Sequence, residues 1–186
     1  MKDVYKSHYS VEPSAMQKYH LITQSPWTFK MLFGFVVDAR VIQRRKHYLI
    51  IFGVIGTIAQ LLIFTKSVND QVWTTVALVV YNFSGAFLDA TISSIIVHQG
   101  RKDPQNGHQD IQCFSSIFFG ISMGFGSMIA AYATRIGKPL YGFGFGAAIT
   151  GIVTLFSLFM DDTFESQMAQ EDQGSQNQSL LSFLGE

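Results

Sequence analysis

Tyr48 to Thr65, YLIIFGVIGTIAQLLIFT, decides the fold class. It carries no charged side chain, and its length falls within the roughly 17–25 apolar residues that a helix needs to cross hydrocarbon. Working outward, Val72–Val97, Ile111–Ala133 and Leu140–Met160 are similar apolar tracts. Leu21–Val37 is a shorter one, interrupted by Pro26 and Lys30. Together they predict five spanning helices, near 21–38, 47–65, 72–98, 110–133 and 139–160. The connections are short, which makes sequential helices antiparallel. The expected fold is an all-α, multi-pass integral membrane protein.

Composition agrees. Only 14% of the 186 residues are charged, against about 25% in a soluble domain. Between Tyr48 and Gly100 the only charges are Lys66, Asp70 and Asp89, and between Ile111 and Met160 only Arg135 and Lys138. Tracts this apolar exclude a disordered chain. Thirteen basic and 13 acidic residues cancel, leaving no electrostatic basis for nucleic-acid binding. The lone Cys113 gives no disulfide framework. There is no metal-ligand spacing, Ser/His/Asp set, phosphate-cradling loop or HExxH, so no enzyme, metal or cofactor is expected.

Residues 1–20 form a polar lead-in without a signal-like apolar run, 21–160 the helical domain, and 161–186 an acidic, Gln/Ser-rich tail without Lys or Arg that is expected to be flexible. Arg40, Arg44, Arg45 and Lys46 in the first connection and Arg101 and Lys102 in the third outnumber Lys66, Arg135 and Lys138 in the second and fourth. That bias places the first and third connections, and the tail, in the cytoplasm.

Two ionisable residues fall inside the spans, Lys30 and Asp89. A charge at the bilayer centre costs about 2.5–3.5 kcal/mol, so such groups face a bundle interior or a wet cavity. Lys30 has the alternative of snorkelling to an interface, which the short Asp89 lacks. Thr75, Asn82 and Asp89 recur every seven residues, with Ala86 and Ser93 between and beyond, along one face of the third span. Leu78, Val79, Phe83 and Phe87 are read as the apolar side opposite. Such a stripe lines either a helix contact or an aqueous path. Gly120/Gly124 and Gly142/Gly146 form G-x-x-x-G pairs, read as helix packing together with Gly53 and Gly56. His98 reads as a surface or helix-capping residue.

Pro26-Trp27-Thr28-Phe29-Lys30, Gly34-Phe35-Val36-Val37-Asp38 and the basic Arg44-Arg45-Lys46 resemble the P-W-x-x-K-P-x-x-G-x-x-x-D signature of folate–biopterin transporters, a branch of the major facilitator superfamily. Glu12–Gln17 is similar to the segment preceding it. Asp89 with Ile95-Ile96-Val97 and Arg101 resembles the family's fourth helix, and Ile111-Gln112 the opening of its fifth. Met31 and Val41 stand where that family has Pro, Ser93 where it has a second acidic residue, and His98 where it has Glu. The resemblance covers about residues 11–160. It implies helices 2–6 of a major facilitator N-terminal half, incomplete on its own, lying in the lipid bilayer and carrying a small anionic solute such as a folate or pterin. It also implies Lys30, Asn82, Asp89 and Ser93 as substrate-facing residues, and Gly34, Asp38, Arg44, Arg45 and Lys46 as a conformational latch. The implied partner is a second transporter half or a membrane complex, and a structural subunit of such a complex, without transport, is the alternative.

Overall fold

A computed structural model describes residues 12–39, 45–65, 70–100 and 107–159. They form six helical segments, α1 (Pro13–Thr28), α2 (Lys30–Asp38), α3 (Arg45–Phe64), α4 (Gln71–Gly100), α5 (Gly107–Arg135) and α6 (Tyr141–Leu158), with no strand among them. The four segments α3 to α6 are each long and apolar enough to cross a membrane. Their ends lie within three residues of the predicted spans.

The first predicted span differs. It begins eight residues early, at Pro13, and it breaks at Phe29 into segments of 16 and 9 residues. The cause of the break is local. Pro26 has no N–H, so the Ile22 carbonyl loses its helical donor, and the Ser25 hydroxyl supplies one at 2.8 Å. The Phe29 N–H then reaches back only three residues, to Pro26 O at 3.1 Å, before Leu32 and Phe33 N–H restart the helix on Phe29 O. The early start takes residues 13–20 out of the polar lead-in. Pro13 occupies the first helical turn, where its missing N–H costs nothing. Met16 and Tyr19 pack against Ile63, Ala77 and Leu78, with Leu140 and Phe143 alongside. Apolar residues at that spacing in a polar stretch bury one stripe without making the stretch apolar.

Helix α4 is the hub. Its 30 residues, about 45 Å of rise, pack against α1, α2 and α3, and α3 in turn packs along α6. Close approach explains Gly53 and Gly56. A Cβ on Gly53 would collide with the Thr154 side chain, and one on Gly56 would sit 2.7 Å from Ser84 Oγ. Gly146 meets Gln60 in the same way, and Gly144 would press Phe64 at 2.8 Å. By contrast, Gly120, Gly124 and Gly142 have no atom within 4 Å of a Cβ. The Gly120/Gly124 pair therefore packs against nothing among the described residues, and of the Gly142/Gly146 pair only Gly146 does.

The expected division of α4 into a polar and an apolar side also changes. Leu78 is fully buried, one turn from buried Asn82, and Phe87 is buried as well. Helix α4 has neighbours on several sides, so polar and apolar residues share its interior. Between α5 and α6 the chain turns through Gly137 at φ 69. Lys138 N–H bonds Ala133 O and Gly137 N–H bonds Thr134 O, both at 3.0 Å, the paired closure that a left-handed residue gives a helix end.

Candidate functional site

Three side-chain contacts tie the first helical pair to α4. Trp27 Nε1 donates to Asn82 Oδ1 at 3.0 Å, Lys30 Nζ pairs with Asp89 Oδ2, and Ser94 Oγ donates to Asp38 Oδ1 at 2.6 Å. The two strands of the contact run parallel, 27–30–38 against 82–89–94. The rise from Asn82 to Asp89 is about 10 Å and from Trp27 to Lys30 about 4.5 Å, a difference that the extended Lys30 side chain covers.

These contacts divide the polar stripe of α4. Its first part is a helix contact in which each buried polar group is bonded. Thr75 Oγ1 donates to Gln71 O at 2.8 Å, and Asn82 Nδ2 donates to Leu78 O at 2.8 Å while its oxygen holds Trp27. Further along, the stripe opens. The Lys30 and Asp89 side chains are 41% and 39% exposed, and Ser93, one turn from Asp89, is half-buried. The sequence-derived set thus lies along α4, joined by Lys30 of α2, with Asn82 closed in and Lys30, Asp89 and Ser93 accessible. Lys30 meets Asp89 instead of running to an interface.

An aromatic cluster joins the same helices. Phe87 stacks on Phe52 at 4.1 Å and on Phe33 at 4.5 Å between centroids, with Phe83 set edge-on to Phe33 at 5.1 Å. These rings come from α2, α3 and α4. They tie the helices that carry Lys30 and Asp89 to each other and to α3. Val37 and Tyr48 continue the same cluster toward Asp38.

Of the latch residues, Asp38 is exposed and engaged by Ser94, Gly34 lies on α2 with open space around it, and Lys46 is half-buried at the start of α3. Arg40 and Arg44 lie outside the described residues, as do the side chains of Arg45 and His98. The sequence reading missed Trp27, Ser94 and Gln60 as contact residues. An indole N–H within an apolar span needs an acceptor, and Asn82 was the available amide. Gln60, buried in α3, donates from Nε2 to Thr150 Oγ1 at 3.1 Å. Ser94 falls off the seven-residue spacing, so periodicity could not find it.

A family model described as the BT1 family matches residues 1–185. Among curated proteins, the chain is 26% identical over 132 residues to "Probable folate-biopterin transporter 4" of Arabidopsis thaliana, covering 69% of this chain and 27% of that one. It is 32% identical over 124 residues to "Probable folate-biopterin transporter 5" of the same plant, covering 65% of this chain and 24% of the relative. The chain thus spans about a quarter of the length of the curated relatives it matches. No solved structure matches it.

Proposed function

The chain belongs to the BT1 family, a multi-pass integral membrane family, and from that premise we propose that residues 1–186 are part of a carrier for a small anionic solute such as a folate or pterin. The observation that supports this most is the half-exposed Lys30–Asp89 pair. Two opposite charges in a membrane span are costly apart and tolerable together. A solute carboxylate that reaches Lys30 can replace Asp89 without stranding the ammonium. The released Asp89 then accepts a proton or an amino group of the solute. Binding and the state of Asp89 become coupled, which is what a carrier requires of an intramembrane ion pair. Asn82, held by Trp27 and Leu78, acts in this reading as a spacer that fixes α1 against α4, while Ser93 adds a hydroxyl beside the pair.

The Asp38–Ser94 bond would be the latch contact that changes partners as the carrier moves, Arg40, Arg44 and Arg45 being the competing donors. A charge-assisted contact at a surface suits this, being strong yet replaceable by water. Alternating access needs two units moving about a shared midplane site, so this reading makes residues 1–186 incomplete by themselves and assigns the rest to the larger protein or assembly.

The test uses the full-length protein encoded by the gene, with Asp89→Asn, Lys30→Gln and the exchange Lys30→Asp/Asp89→Lys. Membrane abundance and uptake of labelled folate and pterin are measured separately. Loss of uptake in each single variant at normal abundance is expected. Normal uptake in both single variants would remove the pair from the transport mechanism and favour the structural-subunit reading.

A further inference from the structure

Lys30 and Asp38 share one short helix, and that helix is attached to the fold differently from the one before it. Helix α1 is locked in place. Thr23 is fully buried, Trp27 is bonded to Asn82, and Met16 and Tyr19 pack in the cluster around Leu78. Helix α2 is held along a single stripe. Lys30, Phe33, Val37 and Asp38 follow the spacing of one helix face, and of the nine described residues only Val37 is buried. Met31, Leu32 and Phe35, on the other side, are exposed. The two segments barely touch each other, although both pack on α4. Between them Phe29 stands at φ −91, ψ 8, off the helical values, beside the rung that Pro26 removes.

We propose that α2 is a hinged arm that turns about Phe29 on a fixed α1, and that it carries the state of the Lys30–Asp89 pair to the Asp38–Ser94 bond. The two contacts lie about 12 Å apart along the arm, too far to bond each other. They are joined by two turns of unbroken helix, so displacement at Lys30 becomes displacement at Asp38. Phe33 stacked on Phe87, Val37 in the cluster with Tyr48 and the Tyr48 hydroxyl donating to Val36 O at 3.5 Å also hold the arm. Stacked rings can slide, and a bond of that length is weak, so the position of the arm depends on its two charged contacts. No atom lies within 4 Å of a Cβ on Gly34, so nothing wedges the middle of the arm. Elsewhere the helices interlock, with Gly53 against Thr154 and Gly146 against Gln60. When the pair opens, α2 is the segment that can follow. The inference rests on the reading of Lys30 and Asp89 as the solute site, and adds that a solute at Lys30 loosens Asp38 without moving α1.

In the full-length protein with its native cysteines replaced, spin labels are attached at Phe35→Cys on the outer face of α2 or at Leu21→Cys on α1. Each is paired with a label at Val153→Cys on α6, and distances are read by double electron–electron resonance. Lys30→Gln should shift the Phe35 distance by about 3 Å, the displacement of a position about 9 Å from Phe29 when the arm turns by about 20°. The Leu21 distance should hold. Adding Pro26→Ala returns a donor to the Ile22 carbonyl and should abolish the Phe35 shift. Both labels moving together, neither moving, or a shift that survives Pro26→Ala would overturn the proposal. Asp89→Asn opens the pair from the other side and replaces Lys30→Gln if that variant fails to accumulate in the membrane. Uptake is measured separately. Uptake lost with no distance change removes the arm and leaves the solute site standing, whereas a distance change with normal uptake removes the solute site and leaves the arm.

Discussion

Helices α4 and α5 are nearly equal in length, 30 and 29 residues, and both are apolar enough to span, yet their surroundings are opposite. Helix α4 buries Leu78, Ala86, Phe87, Asn82, Ser84 and Thr91 among others, whereas among the described side chains of α5 only Ala133 is buried. Hydropathy does not distinguish them. What distinguishes them is whether their small and polar residues have something to meet. On α4 the Ser84 hydroxyl donates across to Phe52 O of α3 and Asn82 holds Trp27 of α1. On α5 the hydroxyls of Ser116 and Ser127 turn back to their own helix, to Gln112 O and Met123 O at 2.8 Å. In a bilayer the packed face of a helix is its small and polar face. The surface of α5 is therefore built like that of α4 but lacks its neighbours.

The comparison breaks first at glycine. Gly53→Leu drives a side chain into Thr154, where α3 and α6 touch, and neither backbone can yield without unseating the other. Overpacking of this kind costs about 1–3 kcal/mol or more, the largest effect expected of a single substitution in the chain. Equilibrium unfolding of residues 1–186 in detergent by SDS titration measures it. A loss below about 0.5 kcal/mol would mean that the α3–α6 contact is not closely packed.

A smaller effect is expected at the Trp27–Asn82 bond. Trp27→Phe keeps an aromatic ring in the apolar span but removes the donor, leaving Asn82 Oδ1 buried without it. Hydrogen bonds between membrane helices average about 0.6 kcal/mol, with about 1.7 as an upper range. A loss of that order is expected from Trp27→Phe, and almost no additional loss when Asn82→Leu is added to it. Additive losses would show that the two residues act independently, and the hub role of α4 would rest on apolar packing alone.

These contacts bear on what could be read in advance. The existence and approximate ends of α3 to α6, and the placing of Lys30 and Asp89 within helices, were legible because apolar length and intramembrane charge are one-dimensional signals. The Phe29 break was half-legible, since Pro26 was visible but the compensating Ser25 bond was not. The burial of Leu78 beside Asn82 was illegible, because a helix with several neighbours loses the two-sided pattern on which periodicity depends. The Gly120/Gly124 motif misled for a related reason. Spacing says that a helix surface can accept a neighbour, and cannot say whether these residues supply one.

Ser94→Ala sharpens the comparison at the end of α4. Asp38 is exposed and its bond to Ser94 is open to water, so stability should fall by no more than about 0.5 kcal/mol. The same substitution in the full-length protein should alter the rate of uptake, because the latch reading assigns Asp38 a change of partner rather than a static contact. An unchanged rate would reduce the pair to a surface hydrogen bond.

The smallest expected effect belongs to α5. Gly120→Leu and Gly124→Leu each add a branched side chain where no atom lies within 4 Å of the new Cβ. Leucine also has about 1 kcal/mol better helix propensity than glycine in soluble hosts, a gain that a membrane span shares in sign. Nothing among residues 1–186 opposes it, so the double variant should match or slightly exceed the parent in SDS titration, within about 0.5 kcal/mol. Gly53→Leu in the same assay is the contrast, as the same change made where a neighbour is present. If the α5 double variant instead loses stability on the scale of Gly53→Leu, the exposed surface of α5 is already packed in this chain, against a second copy or another helix. Repeating the titration over a range of protein-to-detergent ratios separates those cases, since only contact between copies weakens on dilution. A concentration-independent loss would mean that α4 and α5 do not differ as their surroundings here indicate.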